Sequence, residues 1–237
     1  MHAETLEKAS QMVIYLDGAD LAQMDACRSY VHGFTTNPTL ALKAGVTDYK
    51  YFCERAISVA AGKPISLEVF ADDEMEMERQ AHKLSSWGEN VYVKIPVTNT
   101  KGESTGTLVN RLGLAGVKVN VTAVTTFEQI RSMTRHIWVG TPAILSIFAG
   151  RIADTGRNPV PFFTAAAAVK HDKTKILWAS AREVLNVKQA EQAGADIITL
   201  TPDLLKKLEG FGRDLSEVSL ATVQMFRDDA MQAGFQL

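Results

Sequence analysis

Residues 91–97 read VYVKIPV. Short apolar runs rich in valine, isoleucine and aromatic residues mark buried strands. Lys94 does not fit, because an ammonium taken out of water without a partner costs several kcal/mol or gives up its proton. Strand side chains alternate between faces, so Val91, Val93, Ile95 and Val97 form one set and Tyr92, Lys94 and Pro96 the other. One face is aliphatic, and the other carries the lysine.

The same division recurs along the chain. Candidate strands are MVIYLD (12–17), VHGFTT (31–36), ISLEVF (65–70), VYVKIPV (91–97), KVNVTAV (118–124), AILSIFAG (143–150), KILWAS (175–180) and DIITL (196–200). Helical patterns such as EMEMERQAHKLSSW, TFEQIRSMTRHIW and REVLNVKQAEQA lie between them. Gly45, Gly88, Gly116, Gly140 and Gly194 stand just past such stretches, where a left-handed helix end is expected. Strand-helix units of roughly 25 to 30 residues, eight of them in about 250 residues, predict an α/β fold, a (β/α)8 TIM barrel. An open doubly wound sheet is the competing architecture; no G-x-G-x-x-G follows a strand to support its dinucleotide-binding version. With no linker or low-complexity stretch, residues 1–237 read as a single domain. The tail LSEVSLATVQMFRDDAMQAGFQL places Leu220, Val223, Phe226 and Ala230 at helical spacing and predicts an additional C-terminal helix. Its apolar side requires a surface to pack on, either the barrel's own shell or a neighbouring subunit.

Bulk properties exclude several functions. The 237 residues are 46% hydrophobic with a net charge of −2, enough for a large core and without the basic footprint of a nucleic-acid binder. Two cysteines, Cys27 and Cys53, are too few for a disulfide scaffold or a structural zinc site. The opening MHAETLEKAS carries charges where a signal peptide has its apolar stretch, and no run approaches the roughly 18 to 20 apolar residues of a membrane span. A soluble, cytoplasmic protein is expected, with no nucleic-acid or membrane partner.

If each aliphatic set packs under the helices, the barrel interior receives Asp17, Glu68, Lys94, Asn120, Thr122 and Ser146. A barrel interior is ordinarily filled with branched apolar residues, so these polar groups read as a convergent site. Two plainer readings stand beside it: a buried ion-pair network in which Lys94 neutralises Asp17 or Glu68, and a half-solvated sheet. The second sits poorly with a parallel sheet, which is usually covered on both faces.

The ordered stretches LDGAD, GFTTNPTL, SLEVF, VYVKIPVT, VNVTAV, SIFAGRIADTG and ASAREV resemble the transaldolase family, in particular its short members close to fructose-6-phosphate aldolase. The resemblance runs from about residue 12 to the C-terminal helix. It implies a β/α barrel that uses a lysine Schiff base and needs no metal or other cofactor, acting on sugar phosphates. Lys94 then matches the nucleophile, whose amine burial would help keep neutral. Glu68 and Thr122 match the pair that activates the catalytic water, and Asp17 the proton acceptor during carbon-carbon cleavage. Asn37, Asn120 and Ser146 match positions bonding the dihydroxyacetone portion. Arg151, Ser180 and Arg182 match the phosphate site, to which arginine's planar fork is suited.

Several of these residues have simpler readings. Asn37 precedes Pro38 and fits a turn, Thr122 fits a β-former, and Ser180 to Glu183 has the form of a helix capping box beside an anion-favouring helix N-terminus. Either arginine fits a surface ion pair. Glu68 and Phe148 resemble the transaldolase choice, where fructose-6-phosphate aldolases carry glutamine and tyrosine. Gly18, in place of the family's usual threonine or serine, and the polar TNTKGEST (98–105) depart from the pattern. The resemblance also implies a homo-oligomer, a decamer in short members, with the terminal helix on a neighbour. Alternatives are an aldolase releasing free dihydroxyacetone and a non-catalytic phosphosugar-binding barrel.

Overall fold

The computed structural model describes residues 12–237. The charged opening on which the no-signal-peptide expectation rests lies outside them. Eight parallel strands close on themselves in sequence order: β1 (Val13–Asp17), β2 (Gly33–Thr35), β3 (Ile65–Glu68), β4 (Val91–Pro96), β5 (Val119–Val124), β6 (Ala143–Phe148), β7 (Thr174–Ala179) and β8 (Ile197–Leu200). The ring is sealed by pairing of β1 with β8, Ile14 opposite Ile198. This is a TIM barrel, and the open sheet is excluded.

Helices interleave with the strands: α1 (Leu21–Cys27), α2 (Pro38–Lys43), α3 (Tyr49–Ala60), α4 (Glu74–Ser85), α5 (Gly106–Leu114), α6 (Phe127–His136), α7 (Ala149–Ala153), α8 (Val160–Val169), α9 (Leu185–Gln192), α10 (Pro202–Lys207) and α11 (Leu215–Gln232). Local chemistry starts many of them. Asp20, Asn37, Asp48 and Asp73 each accept a bond from a backbone N–H in the first turn, and Thr126 with Gln129 forms a complete capping box. Of the glycines expected at helix ends, Gly45, Gly116 and Gly194 have left-handed backbones, whereas Gly88 and Gly140 do not. Those two instead stand where a Cβ would strike Asn90 and the Trp138 ring.

Two cores result from the alternation. The aliphatic sets of the strands pack outward against the helices, where Phe34, Leu67, Val93, Ile95, Val121, Leu145 and Trp178 are buried. Trp178 stacks on Phe163 of α8 with ring centroids 4.3 Å apart. Inside the barrel a separate, smaller cluster joins Tyr15, Ile144, Leu177, Ala179 and Ile197. Above it the interior positions turn polar.

The predicted C-terminal helix is present as α11, but none of its residues is buried. Phe226 is 63% exposed, and Leu220 and Val223 are similarly open. The barrel's own shell is therefore not the surface it packs on. No helix among the described residues is long and apolar enough to cross a membrane.

Candidate active site

At the C-terminal ends of the strands a cavity of about 500 Å³ opens, on the face where barrel enzymes place their chemistry. Its lining includes every site residue expected from the sequence except Asn120. A larger apolar groove, about 800 Å³, lies outside the barrel between α6 and α8 and contains none of them. Converging polar groups, not size, mark the barrel mouth as the site.

Lys94 lies on its floor, 5% exposed. Glu68, Lys94 and Asn120 are cross-strand partners in one row over β3, β4 and β5. Lys94 Nζ is 2.8 Å from Glu68 Oε2 and donates to the Thr36 carbonyl at 2.8 Å. What the structure holds is thus a lysine beside a carboxylate, which includes the ion-pair reading but does not exhaust it. Two charges removed from water cost several kcal/mol each, recovered only when geometry and further bonds are good. Here the lysine has two partners and also lines the cavity.

That carbonyl is free because β2 leaves the sheet early. Thr36 N–H donates to the Ser66 carbonyl at 3.2 Å, and then Asn37 and Pro38 turn the chain into α2. Past this point no β2 backbone reaches Glu68. The Tyr49 hydroxyl takes the vacated ladder position, donating to the Glu68 carbonyl at 3.0 Å and accepting from Glu68 N–H at 3.1 Å. Burial pushes the Tyr49 phenol well above its ordinary pKa, so it keeps its proton. Tyr49 was not foreseen; in the structure it follows the Asp48 N-cap as the first residue of α3.

Asp17, at the end of β1, accepts from Thr35 Oγ1 at 2.8 Å, and Thr35 Oγ1 lies 2.6 Å from Thr199 Oγ1. Burial pushes the Asp17 carboxyl up; Lys94 and the Thr35 hydroxyl pull it back, and Glu68 adds to the rise. Thr122 Oγ1 is buried without a protein partner. Just after it the ladder to β6 shifts register between Val121 and Val124, and Ala123 takes a left-handed backbone, φ 63°. A bulge of this kind re-aims side chains beside active sites. Thr122 is a strand residue that also lines the cavity.

Asn120 is placed differently from expectation. It is fully buried, with Nδ2 donating to Ser66 Oγ at 3.0 Å and Oδ1 accepting from Ser146 Oγ at 2.6 Å. Ser146 and Phe148 reach the cavity lining; Asn120 stands behind Ser146. Asn37 caps α2 by accepting from Leu40 N–H at 2.9 Å while also lining the cavity.

The rim carries Arg151, Ser180 and Arg182. Arg182 is held by Asp154 at 2.7 Å, with both side chains about half exposed. The expected capping box at Ser180 does not form. Helix α9 starts at Leu185, and the Arg182 and Glu183 amides donate instead to Asn186 Oδ1 at 2.8 and 3.2 Å. Ser180 has a left-handed backbone, φ 60°. The nearby loop 98–105 is tied down: Thr100 donates to Asp72 from both N–H and Oγ1 at 2.7 Å, holding that carboxyl below the usual carboxylate range. Gly18 leaves room for a side chain, since a Cβ there would meet only Leu16 Cγ at 3.9 Å.

A family profile described as Transaldolase/Fructose-6-phosphate aldolase matches residues 14–237. The chain belongs to this family. Among transaldolase relatives, a probable transaldolase of Carboxydothermus hydrogenoformans is 34% identical over 202 residues, covering 83% of this chain and 90% of its own length. A probable transaldolase of Methanococcus maripaludis is 31% identical over 215 residues, covering 89% and 94%. The tryptophan synthase α-subunit of Pyrococcus furiosus, at 14% identity and a TM-score of 0.58 over 87% of this chain and 93% of that one, shares the barrel alone. As a member of the transaldolase/fructose-6-phosphate aldolase family, the protein is a transaldolase-like enzyme.

Proposed function

We propose that this transaldolase-like enzyme transfers a dihydroxyacetone unit from a ketose phosphate, such as fructose 6-phosphate or sedoheptulose 7-phosphate, to an aldose phosphate through a Schiff base on Lys94. The observation that carries this reading is the buried Lys94 amine held 2.8 Å from Glu68 at the cavity floor, below a rim of arginines. Proton transfer from Lys94 to Glu68 yields the neutral amine that attacks the keto carbon. The carbinolamine then loses water, with Glu68 returning its proton to the departing hydroxyl. The Thr122 hydroxyl, without a protein partner, bonds that water. Asp17 takes the proton from the substrate hydroxyl as the carbon-carbon bond breaks, and the iminium accepts the electron pair. Ser146, braced by Asn120, and Asn37 hold the retained three-carbon unit. Phe148 packs beside it, and Arg151, Ser180 and Arg182 receive the phosphate.

Borohydride reduction with fructose 6-phosphate, followed by peptide mass mapping, tests the chemistry. The expected product is a permanent adduct on Lys94; an unmodified Lys94 while sugar binds contradicts it. Release of glyceraldehyde 3-phosphate is expected to depend on added erythrose 4-phosphate. Release that ignores the acceptor assigns the enzyme to simple aldol cleavage.

The same reading includes a homo-oligomer, supported by the uncovered apolar side chains of α11. Sedimentation velocity is expected to show a large assembly for the full chain and smaller species after removal of residues 215–237. Identical sedimentation of the two contradicts it.

A further inference from the structure

Two threonines outside this chemistry stand beside Asp17 in the lining of the same cavity. Thr35 and Thr199 are 3% and 4% exposed, on β2 and β8, the two strands that flank β1. A hydroxyl has one proton to donate. Thr35 gives its proton to Asp17 Oδ1 at 2.8 Å, so the 2.6 Å contact between the two hydroxyls is filled by the proton of Thr199. The chain runs Thr199 to Thr35 to Asp17. When Asp17 gains a proton, every bond in the chain can reverse: Asp17 donates to Thr35, Thr35 to Thr199, and Thr199 turns its proton toward the cavity it lines.

We propose that Thr35 and Thr199 are positioning residues forming a two-hydroxyl relay that aims the Asp17 carboxyl and sets its protonation state. The charged groups facing Asp17 are Lys94 from β4 and Glu68 from β3, with Arg151 and Arg182 at the rim; the Tyr15 phenol, kept neutral by burial, lies below on its own strand. Burial raises Asp17, and among the groups opposing that rise the Thr35 hydroxyl is second to Lys94. A donor to the ionised form lowers an acid's pKa, so deleting it raises the pKa. Chain polarisation predicts a weaker effect in the same direction from Thr199.

The functional meaning rests on Asp17 being the proton acceptor proposed above; the relay itself is read without activity. The measurement is an isotope-edited infrared titration of protein carrying carboxyl-13C aspartate, with an Asp17→Asn difference spectrum to isolate the Asp17 band. Thr35→Val is expected to raise its midpoint by about one pH unit or more. Thr199→Val raises it by less, and Thr35→Ser restores the wild-type value. The acidic limb of the kcat/KM profile for transfer then moves up by the same amount. An unmoved midpoint in Thr35→Val overturns the proposal, as does a Thr199→Val midpoint equal to wild type, which also decides the matter should Thr35→Val fail to fold. Matched infrared shifts in a protein without transfer activity leave the relay standing and remove the functional reading instead.

Discussion

Lys94→Met is expected to abolish transfer, lowering kcat/KM by about 10⁴-fold or more, while the barrel's circular dichroism is unchanged. The loss is total in kind because an aliphatic side chain can form no imine, and the remaining groups bind and orient without providing a nucleophile. The stability cost is a separate quantity. Breaking a fully buried pair from one side costs about 3–5 kcal/mol, because an uncompensated charge stays behind. Glu68 retains 17% side-chain exposure, so the charge left behind stays partly hydrated and a cost of about 1–2 kcal/mol is expected. Steady-state kinetics and urea unfolding separate the two. Residual turnover within about 100-fold of wild type would remove Lys94 from the chemistry.

Gly150→Ala has the second largest expected effect. A Cβ at position 150 would lie far inside contact distance of the Ser180 carbonyl oxygen, 2.7 Å from Arg182 Nε and 2.8 Å from Ser180 Oγ. The carbonyl is backbone and already belongs to a residue in the left-handed region, so it cannot swing aside cheaply. Overpacking typically costs about 1–3 kcal/mol, and the backbone collision puts this site at the upper end. The same displacement moves Ser180 and Arg182, the rim on which a phosphate would rest. With charge-assisted bonds worth about 1.5–3 kcal/mol, KM for a phosphorylated donor is expected to rise by about 10- to 100-fold. Gly18→Ala is the control, with open space and a stability change within about 0.5 kcal/mol. Equal stability of the two variants would contradict the packing seen at Gly150.

The sequence made most of the barrel readable because two periodicities coincide. Each strand carries an aliphatic face for the helices, and the opposite face departs from apolar filling where side chains line the mouth or, as with Asn120 and Ser66, brace those that do. Lys94 in VYVKIPV showed this most plainly, and Asp17, Glu68, Thr122 and Ser146 followed by the same parity. What escaped depends on contacts distant in sequence. Thr35 and Thr199 look like ordinary β-formers, and only closure of β1 between β2 and β8 brings their hydroxyls together. Tyr49 matters because β2 ends early, which local pattern does not register. At Ser180 the S-x-x-E pattern was overridden by Asn186, whose side chain captured the amides the cap would have used.

The apolar plug formed by Tyr15, Ile144, Leu177 and Ile197 makes the barrel a cup rather than a tunnel. A cup has one doorway. In a transfer reaction the first aldehyde must leave by the route its successor takes, while the enamine waits at the bottom. Double-reciprocal plots against the two sugars should therefore give parallel lines, with donor and acceptor excluding each other at high concentration.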